Sequence, residues 1–383
     1  MAWRHSPASA VYKQVASTTL ATWSTVMLVG LMATPPALAC QICLDPSRAS
    51  LVQSLELRSD AVLARREVAG GITHIVVDTI IGTLGPGSRI EASSLRAAPV
   101  PVRESTGVLL VRDAPDSTWR HVAVMQRHHI ELLREFAAMT PTAQMGLTDW
   151  LQRTRYFIDL LDHEDPLLAE TAYLEIARAP YSVIRALGSH IPPRQLAAWI
   201  DTPANYREPL YLLLLGVAGG PRAAETLEMW RRTALAQHNP EPVAAVVTGL
   251  LEIHGEEWLQ QVFDDYLSGN APASLPEIQA VLLALSVQGG ADGHITQPRI
   301  IDIYARFIDQ RPALAGFVTP DLIEWGNWTL TECLLGALEA DTPSHPASRF
   351  LINRYLAQAH DNHSTESPIR RPKGCVQVLQ EHE

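Results

Sequence analysis

The sequence predicts an α+β multidomain chain: a small five-stranded β-barrel followed by an all-α helical repeat array. Three observations carry this. Between residues 55 and 125, β-branched and apolar residues gather in short runs separated by glycine, the pattern of strands and tight turns. From His128 onward the apolar residues recur with the helical period and keep it to the end of the array. Helix starts at Pro166, near Arg207, and at Pro242, Pro276 and Pro320 return every 34 to 44 residues, the length of two-helix repeats.

The chain opens with a segment of another kind. Arg4, His5 and Lys13 give a cationic leader, and Thr18 to Thr34 carries no charge. Pro35-Pro36 breaks the apolar run before Ala37-Leu38-Ala39, a small-x-small cleavage sequence. This is the pattern of a secretory signal over residues 1–39, cut between Ala39 and Cys40. The expected location is periplasmic or secreted. The alternative is a lipid anchor on Cys40, since Ala37-Leu38-Ala39-Cys40 partly matches a lipobox, with Ala37 where leucine is usual.

Without Arg4 and Lys13, 28 basic residues face 41 acidic ones. That balance argues against nucleic acid and anionic lipid as partners. Lys373 is the only lysine after the leader. A Walker-A loop, a Schiff-base lysine and a Ser-x-x-Lys nucleophile are therefore excluded from the folded body. No second long apolar run occurs, so no transmembrane helix is expected in the mature chain.

The barrel domain is expected over residues 40–125. Its strands are read at Asp60–Ala64, Ile72–Asp78, Arg89–Ala92, Gly107–Arg112 and Trp119–Val124. Gly70-Gly71 and Gly85-Pro86-Gly87 mark turns, and Ala97 to Glu104 is read as a loop. The helical domain follows over 126–360. Val243, Val246, Val247, Leu250 and Leu251 form one stripe, and Leu259, Val262, Phe263, Tyr266 and Leu267 form another. Ile278, Val281, Leu282 and Leu285 continue the series, as do Ile300, Ile303, Tyr304, Phe307 and Ile308. Gly219-Gly220-Pro221 and Asn239-Pro240-Glu241-Pro242 separate helices. Residues 361–383 are polar and read as a disordered tail.

Leu160 to Ala172, with Asp165-Pro166 opening a helix and small residues after it, resembles the turn of a HEAT repeat. The resemblance implies an α-solenoid that works by binding; an irregular helical bundle is the alternative arrangement. Five short strands in so few residues suit the oligonucleotide-binding (OB) shape. With a cysteine at the cleavage point before them, they resemble the netrin-like domain of tissue inhibitors of metalloproteinases. In those inhibitors the terminal amine and carbonyl of the cysteine chelate the target's zinc, and by position Cys40 is the residue that matches. The spacing here is Cys-x-x-Cys, and no cysteine lies within the strands.

Cys40, Cys43, Cys333 and Cys375 are disulfide candidates with three possible connectivities. Cys40-Gln41-Ile42-Cys43 reads first as a structural disulfide tying down a chain end. Cys40 and Cys43 as metal ligands, or as a redox pair, are the sharper alternatives. Haem attachment is excluded because Leu44 stands where histidine is required. His128-His129, His163 and His254 read as ordinary polar residues at helix ends, and Glu256-Glu257 and Asp264-Asp265 as solvated faces. Trp150, Trp199, Trp230, Trp258 and Trp325, about one per helix pair, read as core. No catalytic residue and no cofactor are assigned. The expected function is an exported protein-binding scaffold for a protein partner in the cell envelope. The alternative is a metalloprotease inhibitor or a metal- or thiol-active protein working through Cys40 and Cys43.

Overall fold

The computed structural model describes residues 42–43, 48–67, 71–92, 106–188, 190–200, 207–340, 345–362 and 375. The leader, Ala39, Cys40 and the loop expected at Ala97–Glu104 lie outside them. So does the tail expected over 361–383, apart from the end of the last helix and Cys375.

A short helix α1 (Leu51–Leu55), capped by Ser50 accepting from the Gln53 N–H at 2.9 Å, leads into the sheet. The strands are β1 (Asp60–Arg66), β2 (Thr73–Ile81), β3 (Arg89–Glu91), β4 (Thr106–Arg112) and β5 (Arg120–Gln126). All pairings are antiparallel and the order is β3-β2-β1-β4-β5. The expected closed barrel is thus replaced by an open sheet, with β3 and β5 as its edges among the described residues. Closure requires β3 to pair with β5, and among the described residues β3 pairs only with β2 and β5 only with β4. Register shifts at Ala61/Val62, Leu63/Ala64 and Leu109/Leu110 bend the sheet.

Alternation sends side chains to two cores. Ala61, Leu63, Leu109, Val111 and Met125 face the helices, while Val62, Ala64, Val76, Ile90 and Leu110 gather under Trp119 on the other face. Both faces of central β1 are therefore buried, which is why its sequence reads as a continuous apolar run.

The helices are α2 (His129–Ala137), α3 (Leu147–Ile158), α4 (Pro166–Ala177), α5 (Tyr181–Gly188), α6 (Pro193–Ile200), α7 (Glu208–Ala218), α8 (Pro221–Gln237) and α9 (Val243–His254). After them come α10 (Leu259–Val262), α11 (Leu275–Gly289), α12 (Gln297–Gln310), α13 (Thr319–Glu324), α14 (Thr331–Glu339) and α15 (Pro346–Asn362). α10 continues as a π turn over Phe263–Leu267, and the apolar stripe runs through both. α3 packs on α5, α5 on α7, α7 on α9 and α9 on α11, while α6 lies on α7 and α8 on α9. Gly219 and Gly220, at φ +72° and +92°, supply the left-handed turn between α7 and α8.

One hydrophobic cluster runs from the sheet through α2–α9, and a second from α8 and α9 to the last described helix, α15, and Cys375. α9 belongs to both: Leu250 faces the first and Leu251 the second. Trp150 and Trp199 are buried in the first cluster, and Trp325 packs against the second. Among the described residues no helix is long and apolar enough to cross a membrane.

Candidate functional site

The most concentrated set of chemistry-bearing side chains lies where the sheet hands over to the helices. β5 ends at Gln126 and α2 begins at His129, so two histidines fall in the tight connection. Asp165, the N-cap of α4, arrives from the Asp-Pro turn and accepts from the Leu167 N–H at 2.9 Å. Its other oxygen meets His129 Nε2 at 2.6 Å and lies 3.5 Å from His128 Nε2. The Asp165 N–H donates to His163 Nδ1 at 2.9 Å. The sequence reads both His128 and His129 as surface residues; His128 is exposed, but His129 is buried. It is drawn inward because the carboxylate it meets is fixed by the helix start.

Ligand atoms of His128, His129 and Asp165 all fall within 4.8 Å of one another. Two imidazoles and a carboxylate suit a divalent transition metal. The wiring of His129 opposes that use. Its Nδ1 accepts the Gln126 N–H at 3.1 Å, and a backbone amide is only ever a donor. The neutral ring therefore carries its proton on Nε2, the atom aimed at Asp165. A metal there would have to displace that proton while Nδ1 stayed bare, whereas ligating histidines donate from their second nitrogen. The same two bonds occupy both nitrogens and leave no lone pair for general-base work. Burial works against the Asp165 charge, but the bonds from His129 and Leu167 outweigh it and hold the carboxyl below its ordinary value. The cluster is a clamp between the end of β5 and the start of α4.

A second polar cluster lies deeper. Arg153 Nε donates to Glu175 at 2.6 Å, its Nη2 to Glu56 at 2.9 Å and its Nη1 to the Thr140 carbonyl at 2.9 Å. Ser50 donates to the other Glu175 oxygen, and Arg178 approaches it at 3.2 Å. Sequence reading missed this set. The signal was present: Arg153 lies on the stripe of Trp150, Thr154 and Phe157, a charge on a buried face.

Cys43 is buried, and its carbonyl accepts from Tyr173 Oη at 2.8 Å. That contact ties the segment after Cys40 onto α4. Cys333 and Cys375 are both buried in the second hydrophobic cluster. His254, at the end of α9, stacks near Trp258. Glu256 accepts from Thr296, and Asp265 pairs with Arg231 and accepts from Gln261. Glu256 and Asp265 thus tie neighbouring helical segments to one another. In comparisons with known proteins, the chain matches no family model, no curated protein sequence and no solved structure.

Proposed function

We propose that this protein is an exported binding scaffold that presents the surface of a HEAT-like helical array to a protein partner in the cell envelope. The observation that carries this reading is the stacking of alternate helices through glycine. Gly216 of α7 lies so close to α9 that a Cβ on it would sit 2.2 Å from the Gly249 Cα. A Cβ on Gly188 of α5 would come within 2.4 Å of Val217, and one on Gly289 of α11 within 2.8 Å of Trp325. Gly188 and Gly289 end their helices and Gly216 lies two residues from the end of its own, so tight approaches of this kind occur at α5–α7, at α7–α9 and again after α11. Recurring units of this kind build an extended surface that binds without any reactive residue.

Two further observations support it. The polar clusters at His129 and Arg153 are consumed by internal contacts, so they serve architecture. The buried Cys43, held through its carbonyl, favours a structural role for the Cys40/Cys43 pair over exposed thiol chemistry.

A photo-crosslinking residue placed at exposed Met229 on α8 or Phe350 on α15, with Ile72 at the sheet as control, tests the reading in the native envelope fraction. The expected result is one discrete adduct from a helix position and none from Ile72. Adducts from Ile72 alone, or none at either helix position, would overturn it.

A further inference from the structure

Cys333 lies in the first turn of α14, and the residues one turn on, Gly336 and Ala337, leave space beside it. Into that space comes Cys375, 42 residues later in the chain. Its backbone N–H donates to Asp309 Oδ1 on α12 at 3.0 Å, and both cysteines line one cavity of about 240 Å³. The two side chains are 3% and 5% exposed and within hydrogen-bonding contact of each other. We propose that Cys333 and Cys375 form a disulfide that pins the chain after α15 onto the far end of the array. This selects one of the three connectivities and leaves Cys40 with Cys43.

The inference rests on the exported reading for its oxidising surroundings, and on the geometry alone for its pairing. The step is a thiol–disulfide exchange with a disulfide-bearing oxidant. One cysteine loses its proton and attacks the oxidant's disulfide, expelling one oxidant thiolate. The second cysteine then attacks the mixed disulfide, forms the Cys–Cys bond and expels the other thiolate. Two protons and two electrons leave the protein, and the oxidant's disulfide is reduced to two thiols. Once folded, the Cys375 thiol is a poor attacker: its hydrogen bond with Cys333, burial and the Asp309 carboxylate all favour the protonated form. The finished disulfide, buried at both cysteines, is shielded from reductants. A loop of this length is one whose closure restricts the unfolded chain substantially.

The test refolds the reduced full chain with oxidised and reduced glutathione, alkylates it under denaturing conditions and digests it with trypsin. Trypsin spares the Arg-Pro bonds, so Cys333 falls in Phe307–Arg349 and Cys375 in Gly374–Glu383. The expected product is these two peptides joined and lighter by two hydrogens, in wild type and equally in C43S. Alkylated Cys333 and Cys375, or either one joined to Cys40 or Cys43, would overturn the pairing. The thiol state of protein taken directly from the cell envelope tests the export reading separately.

Discussion

Arg153 on α3 donates to Glu175 on α4 at 2.6 Å, and both side chains are buried. The pair sits under α1, whose neighbours Ser50 and Glu56 complete it. It therefore holds the segment entering the sheet against the first helices. Removing one partner strands a buried charge only in part, since Glu56 still faces Arg153 and Arg178 still faces Glu175, so the cost falls below the ~3–5 kcal/mol of a fully uncompensated buried charge. R153M or E175Q is expected to lose stability within that bound in denaturant unfolding. The double variant R153M/E175Q removes both charges and is expected to lose less than the sum of the two single losses. Additive losses would show that the two side chains do not act as a pair.

Much of this architecture is legible in the sequence. The strands fall within a few residues of their apolar runs, and Asp165-Pro166 opens α4 where the turn pattern puts a helix start. All the stripe residues of α9, α11 and α12 named from their spacing are buried. What is not legible depends on contacts distant in sequence. His129 is buried because Asp165, 36 residues on, is positioned to receive it. Arg153 looks misplaced on an apolar stripe until Glu56 and Glu175 are brought to it. Sheet closure likewise depends on whether β3 and β5 meet, which no local period encodes.

The close approach of α7 and α9 gives a test in which helix propensity and packing point in opposite directions. Alanine is favoured over glycine within a helix by about 1 kcal/mol. At Gly216 the new methyl would strike the backbone of Gly249, whereas at Gly249 its nearest contact is the end of Leu227 at 3.0 Å. G216A is therefore expected to destabilise by about 1–3 kcal/mol, as overpacked cores do, and G249A by clearly less. Equal effects in thermal or denaturant unfolding would show that the helices separate freely.

Asp321 on α13 accepts from Ser286 Oγ at 2.8 Å and from Tyr304 Oη. Burial pushes its carboxyl up to about 6 from an ordinary 3.8, against the opposing effect of those two bonds. The folded state thus binds the proton more tightly than the unfolded chain. Its contribution is complete below the unfolded value and disappears as pH rises through about 6. With about 1.4 kcal/mol per pH unit between the two values, the loss is at most about 3 kcal/mol. D321N is expected to flatten this part of the stability profile between pH 4 and pH 7. An unchanged profile would show that Asp321 is ionised throughout.

The His129 clamp makes an expectation that a metal centre would contradict. H129A leaves the Gln126 N–H and the Asp165 carboxylate without their shared partner, a loss of about 1–3 kcal/mol for buried polar groups. Asp165 stabilises the fold above its unfolded value, and this contribution disappears as pH falls through its lowered folded value. Without the His129 bond, Asp165 titrates nearer its ordinary value, so H129A is expected to show a shallower decline in acid than wild type. H128A removes only an exposed ring 3.5 Å from the carboxylate and is expected to change stability little. Zinc or copper added to metal-stripped wild type is expected to leave the melting temperature unchanged, because Nε2 of His129 holds its proton for Asp165. A metal-dependent rise in melting temperature that vanishes in both H128A and H129A would replace the clamp with a metal site.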